Sequence, residues 1–139
     1  MTTDAVIEHI MRTDFLRLSP SMPIREAVAA FARGRESAAP VIDGDGALAG
    51  ILTEKDCFRP MLNACYYQQW DGSVAAFMTR DVRALSVDLD LVSAAEEFLA
   101  RSHRVYPVLR DGEIVGLLHR SDLFAAILAL SERGAVSAG

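Results

Sequence analysis

The chain has 139 residues, 51% of them hydrophobic, which is enough to close a buried interior and excludes a globally disordered polypeptide. Asp and Glu (19) outnumber Lys and Arg (14), for a net charge of −5. The basic residues are scattered, with Arg33 and Arg35 the densest cluster, so the basic face of an electrostatic nucleic-acid binder is excluded. Two cysteines, Cys57 and Cys65, make neither a disulfide framework nor a zinc site and read as small buried apolar residues on helices. No basic-then-apolar leader opens the chain, and the apolar run from Phe124 to Leu130 is too short to span a bilayer. A cytoplasmic protein with no membrane association is expected.

In chain order, residues 4–10 predict a short leading helix. A β-like run follows at Phe15 to Leu18, then a helix whose Ile24, Ala27, Val28 and Phe31 recur at the spacing of one buried face. Ala38 to Asp43 predicts a strand, Asp43-Gly44-Asp45-Gly46 a tight turn, and Leu48 to Leu52 the returning strand. A closing helix begins at Thr53-Glu54-Lys55-Asp56. Residues 63–72 read as a linker holding Tyr66, Tyr67 and Trp70, which either packs back on its own domain, caps a groove or docks on a partner.

The same series then repeats. Met11 to Val41 aligns with Met78 to Val108 at a constant offset, with Leu91, Ala94, Ala95 and Phe98 as the second helix face. Val105 to Arg110, Asp111-Gly112, Ile114 to Leu118 and a helix from His119-Arg120-Ser121-Asp122 complete the second copy. The fold class expected is α+β, with two β-α-β-β-α repeats packed as a pseudo-two-fold pair sharing one core. The expected boundaries are 1–62 for the leading helix and first repeat, 63–72 for the aromatic linker, 73–130 for the second repeat and 131–139 for a flexible tail.

The sharpest motif is Gly50-Ile51-Leu52-Thr53-Glu54-Lys55-Asp56. A strand runs directly into a helix whose first amides are unpaired and electropositive, a setting for an anion. Thr53 offers a hydroxyl, and the Asp56 carboxylate suits the vicinal hydroxyls of a ribose. Gly50 lets a ligand or a neighbouring strand approach closely. The same Thr-x-x-acid pattern also reads as a capping box, and the residues alone leave both readings open. Gly116 and Asp122 stand at the equivalent places in the second copy.

The order of elements, the x-Pro-Val strand, the glycine turn and the glycine-to-aspartate motif resemble a tandem pair of CBS domains (a Bateman module), here as a stand-alone chain. The resemblance covers residues 6 to 130 or so. It implies a regulatory module without catalytic function or required cofactor, binding an adenosine-containing nucleotide (AMP, ADP, ATP, NAD or S-adenosylmethionine) in the clefts between the repeats. It further implies that Asp56 and Asp122 hold ribose hydroxyls and that Thr53 holds ribose or phosphate, with Lys55 beside them. The backbone around Ala39-Pro40 and Tyr106-Pro107 would line the adenine pocket. The implied partners are the nucleotide, a second copy of the chain and an unidentified protein, with no nucleic acid and no metal; a non-binding dimerisation scaffold is the alternative.

One departure makes the copies unequal. His119 stands where the pattern has Ser or Thr, and Arg12 stands where the other repeat has Thr79. A histidine is a poor N-cap. The second site is therefore expected either to be degenerate or to meet phosphate through His119 and Arg120. Phe124, Ile127 and Leu128 form an apolar helix face expected to be covered by a second copy.

Overall fold

The computed structural model describes residues 5–138. They fall into two compact units, one of residues 15–82 and 112–114, the other of residues 5–14, 83–111 and 115–138.

In the first unit, helix α1 (Ile24–Gly34) forms because its apolar residues share one stripe, and Ile24, Ala27 and Phe31 are buried along it. It ends where Arg35 turns left-handed at φ 54°. Strands β1 (Ala38–Ile42) and β2 (Leu48–Thr53) pair antiparallel in the register Ala39↔Leu52 and Pro40↔Ile51. In the turn between them, the Asp43 carboxylate accepts from the Asp45 and Ala47 amides at 2.9 and 3.0 Å. Of the β-like run at 15–18, Leu18 alone joins the sheet, as a parallel bridge to Val41. Helix α2 (Glu54–Tyr67) and the short α3 (Val74–Phe77) complete the unit. Pro60 lies buried inside α2 and, lacking an N–H, releases the Asp56 carbonyl from the helical ladder. Leu18, Ile24, Phe31, Val41, Leu52 and Val74 centre its core.

The second unit repeats this plan. Strand β3 (Leu85–Ser86) lies parallel to β4 (Val105–Arg110), and β5 (Glu113–His119) pairs on β4's other side. Helix α4 (Leu91–Ala100) is capped by Asp90, which accepts from the Ser93 amide at 3.0 Å. Asp111 and Gly112 both take positive φ, at 51° and 83°, the conformation of a two-residue primed hairpin turn. Helix α5 (Arg120–Ala138) closes the unit.

Three of the expected elements differ. The leading segment is a single 3₁₀ turn, Ile7–His9, and belongs to the second unit: Ile7 is fully buried among Leu85, Leu91 and Tyr106. Asp4, the expected helix start, lies outside the described residues. The linker is helical to Tyr67, because α2 continues until Gln68 turns left-handed at φ 58°. Helical backbone runs through residues 131–138, where a flexible tail was expected; Gly139 lies outside the described residues. Each unit has its own cluster of buried hydrophobic residues.

Candidate functional site

The first-repeat corner is built where β2 runs into α2 without an intervening loop. Thr53 keeps extended backbone and caps the helix: its Oγ1 accepts from the Asp56 amide at 3.2 Å. Asp56 Oδ2 in turn accepts from the Thr53 amide at 2.9 Å, so the capping box is formed in full. The next orphan donor, the Glu54 amide, is met by the Ser37 carbonyl at 2.9 Å. Thr53 and Asp56 are half-buried, Lys55 is exposed, and Ala39 and Pro40 are buried on the strand alongside. Ala39 is fully buried, and the Pro40 carbonyl accepts from the Leu18 amide at 3.0 Å.

Gly50 has a definite structural duty. A Cβ there would lie 2.6 Å from the Thr79 carbonyl oxygen and 2.8 Å from the Met78 sulfur. Residues 78–79 cross β2 at this point, with Ile51 and Thr79 exchanging two backbone hydrogen bonds of 2.9 Å. It is a neighbouring segment, one of the two readings left open above, that comes this close.

The second-repeat corner has the same frame. Arg12 pairs with Leu117 through bonds of 2.8 and 2.9 Å, and a Cβ on Gly116 would meet the Met11 sulfur at 2.5 Å and the Arg12 carbonyl at 3.1 Å. The Arg104 carbonyl accepts from the Arg120 amide at 2.8 Å, as Ser37 does for Glu54. Pro107 is buried, and the buried Tyr106 ring packs edge-on to Phe98 at 4.8 Å and stacked on His103 at 4.9 Å. Its hydroxyl donates to the Glu97 carbonyl at 3.2 Å. Tyr106 is thus a core ring, and the exposed His103 is its stacking partner.

The chemistry of the two corners differs. Asp122 accepts from both Arg12 nitrogens, Nε at 2.7 Å and Nη2 at 3.2 Å, a bidentate ion pair. The Arg12 guanidinium holds its carboxyl below the usual range. His119 is half-buried; burial, aided by Arg12 and opposed by Asp122, pushes its imidazole below the ordinary value of 6.5. At neutral pH the imidazole is therefore uncharged, and exposed Arg120 is the cation of that pair.

Both shifts act in the same direction on stability. A depressed Asp122 stabilises the fold above its unfolded value near 3.8, and this is lost as pH falls through the folded value. A depressed His119 means the unfolded chain takes up a proton first, so stability is lost as pH falls below 6.5 towards the folded value. The melting temperature of His119→Ser should accordingly fall less between pH 7 and 5 than that of the parent. Parallel curves would contradict the assignment of that slope to His119.

Burial, with Asp56 and Glu54 adding, pushes the Cys57 thiol up to about 11, whereas Cys65 is exposed rather than buried as the sequence suggested. Among the described residues, no three His, Cys, Asp or Glu side chains cluster to hold a metal ion, and no helix is long and apolar enough to cross a membrane.

Fold and corners together define a tandem α+β repeat protein. The CBS domain profile matches residues 7–63 and 74–129, and the chain belongs to the CBS domain family as a tandem pair. It is 28% identical over 121 residues to the A-adding tRNA nucleotidyltransferase of Aquifex aeolicus, matching 87% of this chain but spanning only 14% of that enzyme. Among solved structures it is similar to the CBS-pair protein CBSX2 of Arabidopsis thaliana, in a crystal containing AMP (TM-score 0.78, 22% identity, 91% of this chain and 98% of that one). It is also similar to the CBS domain pair of protein MJ0100 in complex with 5′-methylthioadenosine and S-adenosylmethionine (TM-score 0.74, 20% identity, 88% and 99%). At these identities the two structures establish the fold.

Proposed function

We propose that this chain is a regulatory module that binds an adenosine-containing nucleotide of the AMP, ADP, ATP, NAD or S-adenosylmethionine class and signals occupancy to a protein partner. The observation that carries the reading is the first-repeat corner, where the Thr53 hydroxyl and Asp56 carboxylate stand half-buried at the start of α2 beside the Ala39-Pro40 strand. Asp56 takes the ribose hydroxyls, Thr53 the ribose or phosphate, Lys55 adds positive charge, and the backbone at Ala39-Pro40 receives the adenine. The adenosine ligands of the similar CBS-pair structures support the class. The module acts in the cytoplasm and performs no catalysis itself.

Only a ligand with different affinity for two states of the module can drive such a signal. A thermal-shift panel of adenosine and guanosine nucleotides tests the reading. A ligand at 100 times its dissociation constant should stabilise the protein by about 2.7 kcal/mol. Adenosine compounds should raise the melting temperature where guanosine compounds do not. Flat curves throughout would favour a scaffold that binds no nucleotide, a reading to which the self-satisfied Thr53–Asp56 box lends support.

The module acts as a homodimer. Each repeat carries an apolar face on its closing helix: Phe58 and Leu62 are 56% and 50% exposed, and Phe124 and Leu128 are 75% and 52% exposed. Each face borders a groove of about 300 to 350 Å³, lined by Phe31 and Met61 in the first repeat and by Phe98 and Ile127 in the second. Matching apolar faces on two repeats suit a symmetric interface. Light scattering at micromolar concentration should give twice the chain mass; a monomer would contradict it.

A further inference from the structure

The two corners share a backbone frame, and one of their differences is the residue whose backbone pairs with the strand running into each helix. In the first repeat that place belongs to Thr79, paired with Ile51; in the second it belongs to Arg12, paired with Leu117 by the same two hydrogen bonds. Thr79 is short and uncharged. Arg12 is long, and its guanidinium presents two nitrogens to the two oxygens of Asp122. Those oxygens are the acceptors that two vicinal ribose hydroxyls would need. In the first repeat, by contrast, Asp56 Oδ2 accepts from the Thr53 amide, and among the described residues no side chain from another segment is bonded to the carboxylate.

We propose that Arg12 closes the second-repeat corner by occupying Asp122, so that each chain takes one adenosine nucleotide, at the first-repeat corner. This rests on the reading of Asp56 and Asp122 as ribose acceptors.

The physical case has three parts. The Cα of Arg12 is fixed by its two bonds to Leu117, beside a glycine that lets the segment sit directly on β5, so the guanidinium is delivered from a rigid base. A charge-assisted bidentate pair outcompetes the neutral hydroxyls of a ribose for one carboxylate. His119 supplies no hydroxyl to replace the contact that Thr53 offers in the first repeat. The pair is only partly shielded, with side chains 52% and 31% exposed, so it biases the corner rather than locking it. Removing the guanidinium should therefore open the site without rebuilding the fold.

Isothermal titration of the full chain with AMP, and separately with S-adenosylmethionine, tests this on the parent, Arg12→Thr and the double variant Arg12→Thr/Asp122→Ala. Arg12→Gln, closer in length, serves as a second opening variant, and melting curves check each fold. The parent should bind one equivalent per chain. Arg12→Thr and Arg12→Gln should bind two, the new site at least ~10-fold tighter than any second binding by the parent, and the double variant should return to one. One equivalent throughout would overturn the closure while leaving the nucleotide reading intact. Two equivalents on the parent, with one weakened by loss of Arg12, would overturn it too, making Arg12 a ligand contact instead of a plug. No heat with either compound on any of the proteins would overturn the nucleotide reading, and the closure with it.

Discussion

Asp56→Ala should lower adenosine-nucleotide affinity by about tenfold to hundredfold, the largest binding effect of any single substitution at the first-repeat corner. The magnitude follows from removing hydrogen bonds to a charged acceptor, worth about 1.5–3 kcal/mol each. The same substitution also removes the acceptor for the Thr53 amide, costing about 1 kcal/mol of fold stability through the lost cap. The two roles are separable. Asp56→Asn keeps a side-chain oxygen for the Thr53 amide and loses the charge and second acceptor that a ribose requires. It should melt near the parent temperature yet bind roughly tenfold more weakly. Parent-like affinity in Asp56→Asn and Asp56→Ala, with only the alanine variant melting lower, would make Asp56 a capping residue and nothing more.

The largest stability effect is expected at a residue that touches no ligand. Gly50→Ala should destabilise the fold by about 2–3 kcal/mol, because overpacking against a fixed neighbour cannot be relieved cheaply. The added Cβ would sit 2.6 Å from a backbone oxygen, the Thr79 carbonyl, held by its own hydrogen bond to Ile51. Gly116→Ala should cost less, about 1 kcal/mol. Its nearest obstacle is the Met11 side chain at 2.5 Å, which has rotamers to yield, and the backbone oxygen of Arg12 stands further off at 3.1 Å. Denaturant melts of the two variants give the comparison. Equal losses, or a larger loss at Gly116, would contradict the account of why these glycines are there.

Much of this architecture was legible in the sequence because the chain states it twice. The helix faces at Ile24, Ala27 and Phe31 and at Leu91 and Ala94, the strands around Pro40 and Pro107, and the turns at Gly46 and Gly112 each follow from local periodicity or turn chemistry. The Thr53–Asp56 relationship was equally local, since a capping box is fixed by residues three apart. What stayed hidden depends on long-range pairing. Nothing near Ile7 announces that it fills the core beside Tyr106, and nothing near Arg12 announces a carboxylate 110 residues away. The sequence flagged Arg12 only as a departure from Thr79; its partner emerged once the segment was seen paired with β5. The full lengths of α2 and α5 were not legible for a different reason. Asn63 to Tyr67 and residues 131–138 are polar or mixed enough to suggest loops, yet helices already nucleated upstream propagate through them at small cost per residue.

The most direct test of the central claim is amide-shift mapping of the isotope-labelled chain during titration with AMP. The account predicts the largest perturbations at Ala39, Ile51, Thr53, Lys55 and Asp56, with Ser121 and Asp122 scarcely moved. Absence of shifts at saturating AMP, or shifts confined to the second-repeat corner or to the exposed face of α2 at Phe58 and Leu62, would contradict it.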